Sequence, residues 1–154
     1  MKNKWITRIG IWVCLSLIGY LGQAQTTSLV VGTVKNGVGV ITDLGNATHV
    51  LIANLPPGAT VSDLKLEYSE YDGKYFLTGK VSNSDFSSIG IQLGQTGNTL
   101  SAFAGPGVQI TCHGYNCTDC RLTFSKFRPY CKCFQPNPAP DMRCDMSSTV
   151  TIGL

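Results

Sequence analysis

Asp63-Leu-Lys-Leu-Glu-Tyr-Ser-Glu-Tyr71, then Asp72-Gly73, then Lys74-Tyr-Phe-Leu-Thr-Gly-Lys-Val81: this stretch carries the strongest fold signal in the chain. Asp-Gly between two alternating runs suits a two-residue type I′ turn, which pairs Tyr71 with Lys74 and fixes the register. Leu64, Leu66 and Tyr68 then share a face with Tyr75, Leu77 and Val81, while Lys65, Glu67, Ser69, Lys74, Thr78 and Lys80 line the other. In that register Lys65 faces Lys80, a like-charge pair, and Tyr71 and Phe76 fall on the polar face as exposed or turn-packed aromatics.

The same punctuation extends in both directions. Asn36-Gly37 predicts a second hairpin joining Ser28–Val34 to Val38–Asp43, with apolar residues on both faces and hence burial on both sides. Further short strands are predicted over His49–Asn54, Ser88–Leu93, Thr99–Phe103, Val108–Cys112 and Arg121–Phe127, separated by Gly- and Pro-containing turns. A terminal alternation, Thr149–Leu154, predicts a last strand that pairs back onto the sheet. No segment shows sustained helical periodicity. Close-spaced strands with tight turns predict an all-β fold: a small antiparallel sandwich or meander, or a partly closed barrel, followed by a disulfide-stapled cysteine-rich subdomain.

Three domains follow from composition. Residues 1–24 read as a signal peptide: Lys2, Lys4 and Arg8 precede the apolar run Ile9–Leu21, and Gly22-Gln-Ala24 supplies small residues for cleavage before Gln25. As a helix that run rises about 20 Å, against roughly 30 Å for a membrane's hydrocarbon core, so no span is expected once the signal is removed. Residues 25–111 form the antiparallel β domain and residues 112–154 the cysteine-rich subdomain, docked on it.

The formal charge of +3 is carried by Lys2, Lys4 and Arg8, leaving nine basic and nine acidic residues beyond the signal. Arg121, Lys126, Arg128, Lys132 and Arg143 are interleaved with Asp119, Asp141 and Asp145, which is no phosphate-neutralising stripe; a nucleic-acid partner is not expected. Only two histidines are present, His49 and His113, and G-x-S-x-G, H-E-x-x-H and a phosphate-cradling glycine loop are missing. The expectation is a non-enzyme without a cofactor.

Chemistry is concentrated in Cys112, Cys117, Cys120, Cys131, Cys133 and Cys144, all beyond residue 111. An even count in an exported chain predicts three disulfides. Cys131 and Cys133 project from one strand face and must reach different partners. The alternative is zinc or thiol-redox chemistry at Cys117, Cys120, Cys131 and Cys133, with His113 nearby. Cys112, Cys117 and Cys120 also match a fragment of iron–sulfur spacing, but export of an unfolded chain disfavours a cluster. A third reading is a secreted inhibitor presenting Lys132 or Arg143 on a cystine-braced loop. Candidate contact surfaces are the stiff loop Gln135–Pro140 and the hairpin tips, for an envelope or extracellular protein or a glycan.

The signal ending Gly22-Gln-Ala24, the hairpin Asp72–Gly79 and the tail Cys112-x4-Cys117-x2-Cys120 with Cys131-Lys-Cys133 resemble uncharacterised small exported Bacteroidetes-type proteins with a cysteine-rich C-terminus. That resemblance implies a bacterial secreted, periplasmic or cell-envelope address and brings no activity with it. The spacing around Cys131 and Cys133 also resembles the later half of an EGF-like module, which implies Cys112–Cys120, Cys117–Cys131 and Cys133–Cys144. The first two loops are shorter than in such modules, and residues 135–143 hold neither glycine nor aromatic.

Mass spectrometry of the secreted protein should give the mass of residues 25–154. No cysteine should accept an alkylating agent before reduction, and six should accept it afterwards.

Overall fold

The computed structural model describes residues 28–102, 107–137 and 139–151. The signal peptide and residues 152–154 of the predicted last strand lie outside them. The elements in chain order are β1 (Leu29–Lys35), β2 (Val38–Ile41), α1 (Leu44–Ile52), β3 (Thr60–Ser69), β4 (Lys74–Ser82), β5 (Ser88–Gln92), β6 (Gly94–Thr96), β7 (Thr99–Ala102), β8 (Gly107–Tyr115), β9 (Cys120–Phe124), β10 (Pro129–Cys133) and β11 (Arg143–Thr151). They form antiparallel sheets and no closed barrel: a five-stranded sheet β11-β8-β5-β4-β3, a four-stranded sheet β2-β1-β7-β6 and a two-stranded sheet β10-β9.

The Asn36-Gly37 hairpin forms, with Lys35 opposite Val38 and both turn residues at positive φ, but it is not buried on both sides as expected: Val30, Val38 and Val40 are exposed, because among the described residues no layer covers its outer face. The β3–β4 hairpin keeps its predicted faces but not its register. Ser69, rather than Tyr71, pairs with Lys74, so the strands slide by two residues and the connection is a four-residue turn. The cause is local. Ser69 Oγ donates to the Asp72 carboxylate at 2.9 Å and accepts from the Asp72 amide at 3.3 Å, while the Gly73 amide reaches the Ser69 carbonyl at 2.9 Å. An even slip leaves each side chain on its own face. It also removes the Lys65–Lys80 clash, since Lys65 opposes Thr78 and Lys80 opposes Ser62 across a bulge.

The predicted strand over His49–Asn54 is instead the end of α1. Asp43, in extended backbone, accepts the Asn46 amide at 2.8 Å as an N-cap, and Ala47, Val50 and Leu51 bury one helical stripe. His49 is exposed on this helix.

Two cores flank the five-stranded sheet. One lies toward the four-stranded sheet and α1, where Val31, Leu51, Leu77, Ile89, Leu93 and Leu100 are almost wholly buried. The other lies under the β9–β10 hairpin and holds Phe76, Ile110, Leu122 and the buried cysteines. β4 feeds both: Tyr75, Leu77 and Val81 enter the first, Phe76 enters the second, and Thr78 is buried on the Phe76 side. Phe76 is therefore not an exposed aromatic; it is 1% exposed and tilted against Phe124 at 4.9 Å between ring centroids. Tyr71 is exposed.

The line between residues 111 and 112 falls inside β8, and β11 pairs with β8 along nine positions, so the cysteine-bearing segment contributes to the main sheet as well as covering it. Gly90 on β5 gives the cover its seat. A Cβ there would collide with Leu122 Cδ2, and the Leu122 amide donates to Ser88 Oγ at 3.0 Å.

Gly90→Ala should cost about 1–3 kcal/mol by displacing Leu122. Urea unfolding checks this, and Leu122→Ala in the same background should cost less than it does alone because the two share one contact.

Candidate functional site

The β9–β10 hairpin is held at its base by three disulfides, Cys112–Cys131, Cys117–Cys133 and Cys120–Cys144, with Cα separations of 5.6, 6.1 and 5.8 Å. Cys131 and Cys133 reach different partners, on β8 and on the loop after it. None of the three pairs is one that an EGF-like arrangement implies. Gly114 permits the loop to fold back, because a Cβ there would strike the Cys117 carbonyl oxygen. Strand pairing of β11 with β8 sets Cys144 opposite Gly114, and so delivers it to this cluster.

The predicted zinc or redox set does not assemble as a unit. Cys131 is bonded to Cys112, and the described side chains close enough to share an ion are Cys117, Cys133 and Cys144, with sulfurs within 4.8 Å of one another. His113 is outside that group; its Nδ1 meets the Asp85 carbonyl. Lys132 sits within β10 opposite Arg121, and Arg143 opens β11 opposite Tyr115, so both are strand-paired rather than displayed on a loop. In the Pro-rich segment, Gln135 Oε1 accepts from the Thr118 amide and hydroxyl at 3.2 Å.

Between the hairpin and β3–β4 runs a groove of about 220 Å³, lined among others by Lys65, Glu67, Lys80, Arg121 and Phe134. Its walls are the predicted polar face of β3–β4, partly roofed by the cystine layer. Asp119 Oδ1 accepts from Arg121 Nε at 2.7 Å, and its second oxygen meets Arg121 Nη2. Lys80 Nζ lies 3.4 Å from both Asp119 and Asp63. The Arg121 hydrogen bond, helped by its charge and that of Lys80 and opposed by partial burial, holds the Asp119 carboxyl below its ordinary value. Glu67 accepts from Thr78 Oγ1 at 3.1 Å. Arg121 and Lys132 flank the Phe134 ring at 5.0 and 5.4 Å.

At the far end the hairpin turns through Ser125–Arg128. Ser125 Oγ donates to the Arg128 carbonyl at 2.8 Å and accepts the Phe127 and Arg128 amides at 3.3 and 3.2 Å. Phe127, between Lys126 and Arg128, is 83% exposed. Sequence reasoning named hairpin tips in general; the signal it passed over is that residues 120–134 contain four cations and no acid.

No family model matches the chain, and neither a curated protein nor a solved structure is significantly similar to it.

Asp119→Asn should cost about 0.5–1 kcal/mol at neutral pH, in the range of a partly exposed pair. Because the folded carboxyl sits below its unfolded value, this stability is complete above the unfolded value and is lost as pH falls through the folded one. Chemical denaturation should show the difference from the parent protein at pH 7 shrinking toward zero as the pH is taken below the ordinary carboxylate range.

Proposed function

We propose that the chain is an exported, non-catalytic binding module, and that the tip of the β9–β10 hairpin docks on an acidic protein surface outside the cytoplasm, in the envelope or beyond it. The observation that carries this reading is Phe127, 83% exposed on a turn whose hairpin is covalently fixed at its base. Interfaces take most of their affinity from a few aromatic and Arg anchors, and a tip already rigid loses little entropy on docking. Lys126, Arg128 and Lys132, with no acid on the hairpin, supply charge complementarity that speeds encounter.

The groove supports recognition better than catalysis. Asp119 is neutralised by Arg121 and Lys80, and Glu67 is engaged by Thr78, so neither is poised as a free acid or base. The export address is supported by the signal-like N-terminus and is compatible with the three disulfides. Among the described residues no helix is long and apolar enough to cross a membrane.

A photo-crosslinking residue at position 127 of the exported protein should give discrete protein adducts that weaken with salt and vanish in Lys126→Glu/Arg128→Glu. In the protein without the crosslinker, Phe127→Ala should abolish co-precipitation of the same crosslinked protein while shifting stability by less than about 0.5 kcal/mol, as expected for a solvent-facing side chain. Adducts to glycan alone, or adducts unchanged by charge reversal, would overturn the reading.

A further inference from the structure

The geometry points to a second, metal-loaded state of this protein: before its bridges form, Cys117, Cys120, Cys133 and Cys144 make a four-thiolate site for a thiophilic divalent cation of the zinc class. This goes beyond the binding role. The Cys117–Cys133 and Cys120–Cys144 bridges lie against each other, with Cys144 Sγ 3.7 Å from Cys117 Sγ. A tetrahedral zinc–sulfur unit with bonds of about 2.3 Å has sulfur–sulfur edges of about 3.8 Å. The edge between the two bridges therefore already has the required length, the sulfurs of Cys117, Cys133 and Cys144 lie within 4.8 Å of one another, and Cys120, outside that group while bonded to Cys144, turns in as the fourth ligand once its bridge opens.

The backbone keeps the fourth ligand beside the third. Cys120 and Cys133 are direct partners across β9–β10, and Cys117-x2-Cys120 has the spacing of a zinc-binding turn. Met142 Sδ lies 3.0 Å from Cys133 Sγ, a further soft atom beside the cluster. Cys112 and Cys131 lie apart and keep a purely structural bridge.

The chemistry balances without an added reductant, because the chain is synthesised with thiols. Four thiols lose four protons as one Zn²⁺ binds. Two equivalents of a disulfide oxidant then take four electrons and, with four protons, become four thiols, leaving two protein bridges and free Zn²⁺. The cation would hold the hairpin on the sheet until oxidation replaces it.

The test reduces the protein with a phosphine and titrates it with Co²⁺, then Zn²⁺, alongside Cys112→Ser/Cys131→Ser, Cys131→Ser and Cys144→Ser. One cation per chain is expected, with the visible bands of tetrahedral four-thiolate Co²⁺, and with amide protection returning to β8–β11 on loading. Cys112→Ser/Cys131→Ser and Cys131→Ser should retain those bands, and Cys144→Ser should bind at least about 100-fold more weakly, since loss of an outer-shell partner alone costs 10–100-fold. Equal affinity in all variants would mean an unfolded chain choosing thiols at random. Loss in Cys131→Ser with retention in Cys144→Ser would assign the sequence-adjacent set instead. Either result, or the lack of tetrahedral bands, overturns the proposal.

Discussion

The burial of Phe76 is the constraint around which the molecule is arranged. A sheet that places Leu77 in one core and Phe76 in the other needs cover on both sides, and an uncovered Phe would forfeit about 1.5–3 kcal/mol. One cover is a four-stranded sheet with a helix. The other is a two-stranded hairpin, an element marginally stable by itself. Its apolar contribution is small, chiefly Leu122 and Phe124. The bridges span 16 to 24 residues, and loops of that size are worth about 3 kcal/mol each in the chain-entropy account, though linked bridges do not add independently. Covalent closure therefore does for this layer what packing does for the larger one.

Much of the fold could be read from alternation alone. Period-two patterning settled which residues of β3 and β4 face the larger core, and that reading survives a register error because the slip is even. The register itself depended on Ser69 and Asp72, whose side-chain hydrogen bonds outcompete the turn that Asp-Gly suggests. Polarity misled at Phe76, since a face rich in Lys, Glu and Thr reads as solvent unless another layer is foreseen. The helix was hidden by its nine-residue length and by Gly45, Asn46 and Thr48, none a strong helix former; the Asp43 cap ahead of Ala47, Val50 and Leu51 was its only marker.

The cysteine cluster illustrates a different limit. Sequence proximity suggested Cys117, Cys120, Cys131 and Cys133 as one set, and strand geometry explains why they are instead divided among three bridges. Two residues along a strand move a side chain about 6.6 Å while keeping its direction, enough for Cys131 to meet Cys112 while Cys133 meets Cys117. Cys144 arrives from β11, whose pairing with β8 is a long-range fact that no local pattern encodes.

The division of labour between the layers also explains where a contact surface can sit. A rigid display element must be fixed without its tip being buried. An apolar clamp fixes a hairpin by covering it, whereas cystines at the base fix it while leaving the far turn in solvent. Ser125 completes that turn with its own hydroxyl, so Phe127 needs no packing partner to be held in position. The same bridges that make a thin layer stable thus leave it free to present an aromatic between two cations, and a hairpin that owed its stability to apolar burial would have had to withdraw that side chain.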